Sequence, residues 1–175
     1  MTTLVGYSSK YGATQGIAER IAARLRDTGH DATALPLASV GDPANYDSFV
    51  IGSSVYAGSW RRDARDFVRR HRDMLAGTPV WLFSSGPLGT SKTDAQGRDQ
   101  LTEAEPRQFA TYRESLRPRA LQVFFGAFDP AKLSRSDRLI MRIPALKDLM
   151  PTGDFRDWAA IDAWADDIGR ELPKG

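Results

Sequence analysis

Hydrophobic and polar residues alternate along this chain in blocks that predict strands and helices in turn. Short apolar runs predict five strands, at Thr3–Tyr7, Asp31–Leu35, Phe49–Ser53, Pro79–Ser85 and Leu121–Phe125. Apolar residues recur at helical spacing in longer stretches, which predict helices at Thr14–Asp27, Asp63–Leu75 and Trp158–Leu172. Because strands that alternate with helices are typical of right-handed βαβ units, the pattern indicates an α/β fold around a parallel sheet.

Two segments fall outside this alternation. Residues 86–105 are polar and contain several glycines, so we expect an extended loop there. Residues 132–150 combine basic residues with an apolar stripe at helical spacing. No linker or repeat interrupts the pattern, and a chain of 175 residues suffices for one core. We therefore expect residues 1–175 to form a single domain.

Composition excludes several classes of function. The chain has no cysteine, which excludes disulfides, thiolate metal sites and cysteine nucleophiles, and no spacing of His, Asp and Glu predicts a metal site. It shows neither a signal-peptide pattern nor an apolar run of about 20 residues that could span a membrane. We therefore expect a cytoplasmic protein. A net charge of +2 is too small to indicate nucleic-acid binding, and we expect none.

The loop between the first strand and the first helix, Ser9–Thr14, combines hydroxyl groups with a glycine where the helix begins. Unpaired amides and the positive end of the helix dipole make such a place favourable for phosphate. The loop lacks the Gly-Lys-Ser/Thr of a Walker loop and the three spaced glycines of a dinucleotide fingerprint. Two interpretations stay open: a site for one phosphate of a cofactor, or an ordinary turn whose Ser and Thr cap the helix.

Two further segments follow predicted strands in the same way. Together with the first loop, they resemble the three cofactor loops of flavodoxin-like proteins: Ser9–Thr14, Ser53–Gly58 and Ser84–Gly89. The second half resembles the menaquinone-dependent protoporphyrinogen oxidase family of that group, in Phe125–Phe128, Leu139–Met141 and Asp154–Trp158. The resemblance covers nearly the whole chain. It implies a flavodoxin-like, doubly wound five-stranded parallel sheet of order 2-1-3-4-5 with helices on both faces.

The resemblance also implies a site for FMN. Its phosphate would be held by Ser9, Lys10, Tyr11, Gly12, Ala13 and Thr14. One side of the isoalloxazine ring would be lined by Ser54, Val55, Tyr56, Ala57 and Gly58, and the other side by Ser85, Gly86, Pro87 and Leu88. Tyr56 and Trp60 are candidates for aromatic contact with the ring; the alternative is that both pack on the surface.

The leading hypothesis from this resemblance is an FMN-dependent oxidoreductase that oxidises protoporphyrinogen with a quinone as electron acceptor. Porphyrinogen and quinone are then the expected small-molecule partners. Two alternatives stay open: an FMN quinone reductase with another donor such as NAD(P)H, and a non-enzymatic flavodoxin-type electron-transfer protein. Electron carriers of this type are typically strongly acidic, because charge steers them onto basic partners. The slightly basic balance of this chain argues against the carrier.

The segment at 132–150 carries five basic residues against two acidic ones, beside its apolar stripe. A basic amphipathic helix can lie on an anionic membrane surface, here the inner face of the cell membrane. The alternative is a helix that buries its stripe against the domain and exposes its charges. The sequence leaves the oligomeric state open.

Overall fold

The computed structural model describes residues 1–89, 91, 93, 96–132 and 151–173. The strands are β1 (Thr2–Ser8), β2 (Asp31–Pro36), β3 (Ser48–Tyr56), β4 (Ser59–Trp60), β5 (Val80–Ser85), β6 (Ala120–Phe124), β7 (Ala127–Phe128) and β8 (Gly153–Asp154). The α-helices are α1 (Ala13–Asp27), α2 (Arg62–Arg70), α3 (Arg72–Ala76), α4 (Gln100–Glu103), α5 (Gln108–Ser115) and α6 (Trp158–Glu171).

The main sheet has the strand order β2-β1-β3-β5-β6, and all of these strands are parallel. Strand β4 pairs with β3 alone, antiparallel, and forms a short hairpin. When this hairpin strand is set aside, the order of the remaining five is 2-1-3-4-5, so the predicted flavodoxin-like sheet is confirmed. A parallel sheet that is covered on both faces needs apolar residues on both sides of its strands, which explains their continuous apolar runs.

Each face of the sheet has its own core. On one face, Val50 and Phe83 pack with residues of α1 and α6, including Ile21 and Trp164. On the other face, a second cluster joins the sheet to α2, α3 and α5, and its large members include Phe49, Phe67, Leu75, Phe109 and Leu116. Successive strand residues point to opposite faces, so one strand contributes to both cores.

Several details differ from the sequence prediction, among them the unpredicted short strands β4, β7 and β8. The helix predicted at Asp63–Leu75 is two helices, because His71 leaves helical dihedrals (φ −113°) and packs its ring 4.8 Å from that of Phe67. Helix α5 was not predicted. The segment expected as an extended loop at 86–105 contains the short helix α4 near its end.

Residues 133–150, which form nearly all of the basic amphipathic segment, lie outside the described residues. Within the part that is described, no helix is both long enough and apolar enough to cross a membrane.

Candidate cofactor site

A pocket opens where β1, β3, β5 and β6 end. It is lined by residues of the loops that follow these strands: Ser9, Lys10, Tyr11, Ala13, Thr14, Ser54, Val55, Tyr56, Ala57, Ser85, Gly86, Leu88, Gly126, Ala127 and Phe128. The structure thus brings the three predicted loops together. Of the predicted site residues, Gly12, Gly58 and Pro87 belong to these loops without lining the pocket.

The first loop presents backbone amides to the pocket. Helix α1 begins at Ala13 with no side-chain cap and no acidic residue in its first turn. Gly12 sits before it with φ +89°, a left-handed conformation that glycine adopts readily. The Gly12 amide donates to Ser9 Oγ at 3.0 Å, which closes the loop on itself. The uncapped first turn leaves donors and the positive end of the helix dipole facing the pocket.

A buried hydrogen bond ties the first loop to the third. Thr14 Oγ1 lies 2.7 Å from Ser85 Oγ, and both side chains are buried. Thr14 is in the first turn of α1 and Ser85 ends β5, so the bond fixes the helix start against the sheet. Thr14 therefore both lines the pocket and forms a hydrogen bond with Ser85 inside the protein.

The second loop is a tight hairpin turn. Ala57 (φ +50°) and Gly58 (φ +71°) are both left-handed, as the two-residue turns that best match twisted strands require. The turn leaves Tyr56 43% exposed at the pocket rim. It also sends the chain back as β4, which carries Trp60 into the core.

Trp60 is not available as an aromatic contact for a cofactor, and that candidate role is wrong. Its side chain is 1% exposed, and its Nε1 donates to Ser84 Oγ at 2.7 Å. The ring packs edge-on against Phe109 and Tyr112, with centroids 5.8 and 5.4 Å away. The polar residues around Trp60 in the sequence suggested a surface loop, but its ring is buried in an aromatic cluster.

The loop that follows β5 packs closely against the end of β3 and against the loop that follows β6, the fourth loop (Gly126–Phe128). A Cβ on Gly86 would lie 3.3 Å from Val55 Cβ, so a side chain at position 86 would crowd Val55. The backbones of the two loops are joined, since the Gly126 amide donates to Pro87 O at 2.9 Å. The fourth loop was not among the predicted site residues, although Gly126, Ala127 and Phe128 follow a predicted strand as the other loops do.

Arg156 braces the start of α1 from outside the pocket. Its Nη1 donates to Ala13 O at 3.3 Å, and its Nε and Nη2 donate to the two carboxylate oxygens of Asp154 at 2.8 and 2.6 Å. These hydrogen bonds hold the pKa of Asp154 below its usual value. Because Asp154 lies in β8, the contact joins the small β7–β8 sheet to the first loop.

A cation stands at the rim of the pocket. Lys10 Nζ lies 5.0 Å from the ring centroid of Tyr11 and 5.9 Å from that of Tyr56. Burial raises the pKa of Tyr56, with a further rise from Tyr11, while Lys10 and Arg61 act in the opposite direction. Tyr56 is therefore a neutral phenol at physiological pH.

The pocket fits a cofactor that carries a phosphate and a flat ring. Among the described residues that line it there is no carboxylate, so no negative charge opposes a phosphate. The uncapped amides of α1 and the ammonium of Lys10 favour one. The loops after β3, β5 and β6 line the rest of the pocket with small and apolar groups, including Val55, Gly86 and Leu88, which suits a flat ring.

Comparison with known proteins identifies the class. The flavodoxin domain family model matches residues 4–149, and the chain belongs to this family. FMN is its cofactor. Among curated proteins, it is 26% identical to protoporphyrinogen IX dehydrogenase [quinone] of Escherichia coli (strain K12), over 99% of this chain and 98% of that protein.

Solved structures show the same fold. A point mutant of flavodoxin from Pseudomonas aeruginosa superposes with a TM-score of 0.61 at 16% identity, over 98% of this chain and 99% of the other. Oxidised flavodoxin 2 from Bacillus cereus gives a TM-score of 0.60 at 19% identity, over 98% and 100% of the two chains. At these identities the likeness concerns the fold alone.

Proposed function

We propose that this chain is an FMN-dependent enzyme that oxidises a porphyrinogen, such as protoporphyrinogen IX, and delivers the electrons to a quinone. The observation that carries the proposal is the end-to-end similarity to the Escherichia coli dehydrogenase, which extends over 99% of this chain. The charge of the chain supports it over an electron carrier, because +2 gives little electrostatic steering toward a basic partner protein.

FMN, when bound, supplies the redox chemistry, and the protein supplies binding, orientation and surroundings. In each turnover the porphyrinogen loses two electrons and two protons, and one quinone takes them up to become a quinol. Three turnovers, and three quinones, complete the oxidation of one porphyrinogen to porphyrin. We assign phosphate binding to the first loop, with Ser9, Thr14 and the amides of α1 as donors. We assign the ring to the part of the pocket lined by the loops after β3 and β5, with Tyr56 at its exposed edge. The described pocket lining contains no His, Asp or Glu, and we assign its residues a positioning role.

A turnover assay under low oxygen tests the proposal. FMN-loaded protein is mixed with protoporphyrinogen IX and a soluble quinone, and the fluorescence of the porphyrin product is followed. We expect porphyrin to form only when protein, FMN and quinone are all present. Parallel reactions replace the porphyrinogen with NADH or NADPH. Quinone reduction by a nicotinamide donor without porphyrin formation would favour the quinone reductase, and no turnover with either donor would favour the carrier.

We also propose that the protein works at the inner face of the cell membrane, where a lipid-soluble quinone is available. The support is the charge pattern of residues 132–150, whose five basic residues outnumber two acidic ones beside an apolar stripe. Each basic residue near an anionic surface contributes about 1 kcal/mol of attraction.

A further inference from the structure

A second, open groove adjoins the cofactor pocket. It has a volume of about 760 Å³ and shares Lys10 and Tyr56 with the pocket, so a ligand could extend from one into the other. Its remaining walls come from the β3–β4 hairpin and the first turns of α2. The charged residues that line it are Lys10, Arg61, Arg62, Asp63, Arg65 and Asp66.

The carboxylates of the groove are already engaged. Asp63 accepts from Ser8 Oγ at 2.6 Å and lies 3.4 Å from Arg61 Nε. Asp66 lies 3.0 Å from Arg69, which is outside the groove lining. Its contact with Arg62 is longer, at 3.5 Å, and the side chain of Arg62 is 88% exposed. An exposed ion pair of this kind contributes little, so Arg62 can turn to another anion at small cost.

The groove lining carries four basic and two acidic side chains, so part of its positive charge has no acid to balance it. Arg65 makes no ion pair with any residue in the described ranges. Arg61 is held in place, since its Nε donates to Ser8 Oγ at 2.9 Å, and its terminal nitrogens donate to no described side chain or carbonyl. A guanidinium group binds a carboxylate through two parallel N–H donors. Arginine therefore matches a planar carboxylate better than the ammonium group of lysine does.

We infer that this groove, defined by Arg61, Arg62 and Arg65, binds the carboxylate groups of the electron-donating substrate. The inference rests on the proposed function and extends it to substrate recognition. An apolar macrocycle with acidic side chains on one edge matches this arrangement, in which arginines lie beside the exposed ring of Tyr56. The macrocycle would lie toward the exposed ring of Tyr56 at the pocket rim, and its carboxylates would reach the arginines. A volume of 760 Å³ is within the range of small-molecule sites.

The test uses FMN-loaded protein with the double variant R62Q/R65Q. Its matched control is R70Q/R72Q, which removes the same charge from exposed positions of α2 and α3 that do not line the groove. Binding of protoporphyrin IX, a dicarboxylate, is measured by fluorescence and compared in the same detergent with binding of its dimethyl ester. We expect R62Q/R65Q to bind the diacid about tenfold more weakly while its affinity for the ester matches wild type. The control should match wild type for both ligands, and all proteins should bind FMN equally.

Turnover adds a second readout. With protoporphyrinogen IX, R62Q/R65Q should raise KM about tenfold and leave kcat nearly unchanged, because the carboxylates lie away from the reacting carbons. Equal binding of diacid and ester by wild type, or equal loss in both double variants, would overturn the inference. Binding of NADPH and of anionic vesicles is measured in parallel. If R62Q/R65Q weakens only the binding of these phosphate-bearing ligands, the inference is also overturned. If wild type binds the diacid through these arginines yet never oxidises protoporphyrinogen IX, the proposed function fails and the carboxylate site stands.

Discussion

Thr14 Oγ1 and Ser85 Oγ lie 2.7 Å apart in a buried hydrogen bond that joins the first turn of α1 to the end of β5. Two residues that are 71 positions apart in sequence are thereby held as one wall of the candidate cofactor site. The bond makes the position of the first loop depend on the loop that follows β5. This dependence can be measured.

Replacing Thr14 with Val should weaken FMN binding about tenfold, because the change removes one hydrogen bond and leaves the buried Ser85 hydroxyl without its partner. Riboflavin, which lacks the phosphate, should lose less affinity than FMN. Ser85→Ala should have a similar effect, and the double variant should lose less than the sum of the two. Dissociation constants from flavin fluorescence supply the comparison. Equal losses for FMN and riboflavin in Thr14→Val would show that this loop does not hold the phosphate.

Gly12 and Gly29 form a matched pair for testing the first loop. Both are left-handed, with φ +89° and +91°, and a Cβ on either would meet no atom within 4 Å. Alanine at either position should therefore cost about 1 kcal/mol of stability through backbone strain alone. Only Gly12→Ala should weaken FMN binding, since only Gly12 shapes the phosphate loop. Urea unfolding of the apoprotein measures the loss of stability, and FMN titration measures the loss of affinity. Equal FMN affinities of Gly12→Ala and Gly29→Ala would show that Gly12 is not part of the site.

The contact between Arg156 and Asp154 predicts a pH dependence. Hydrogen bonds from Arg156 lower the pKa of Asp154, so the contact stabilises the protein above the ordinary Asp pKa of about 3.9 and is lost as pH falls through the lowered value. Asp154→Asn removes this contribution at every pH. The difference in urea midpoint between wild type and Asp154→Asn should be largest near neutral pH and shrink below about pH 4. A difference that stays constant down to about pH 3 would contradict the assignment.

The membrane proposal predicts a salt-sensitive interaction. Wild type should bind vesicles of anionic lipid at low ionic strength and release them as salt is added, because screening weakens the attraction. Neutralising Arg135, Arg138 and Arg142 together should reduce this binding and quinone-linked turnover, while FMN affinity stays the same. Neutral vesicles serve as the control. If wild type does not bind anionic vesicles at low salt, the membrane proposal fails.

The sheet and its loops were predictable because their signals are local. Continuous apolar runs mark parallel strands, and topology places the loops after β1, β3 and β5 at one edge. The burial of Trp60 could not be predicted locally, because it depends on a two-residue turn and on Phe109 and Tyr112 of α5, which are distant in sequence. The contact of Arg156 with Ala13, which are 143 residues apart, arises only from tertiary packing.

The most direct test of the central claim is an anaerobic titration of the oxidised, FMN-loaded protein with protoporphyrinogen IX, followed by the visible absorbance of the flavin. We predict that the flavin absorbance bleaches as the porphyrinogen is added and returns when a quinone is added, with porphyrin formed in proportion. A flavin that stays oxidised in the presence of protoporphyrinogen IX, and bleaches with NADPH or with neither donor, would contradict the claim.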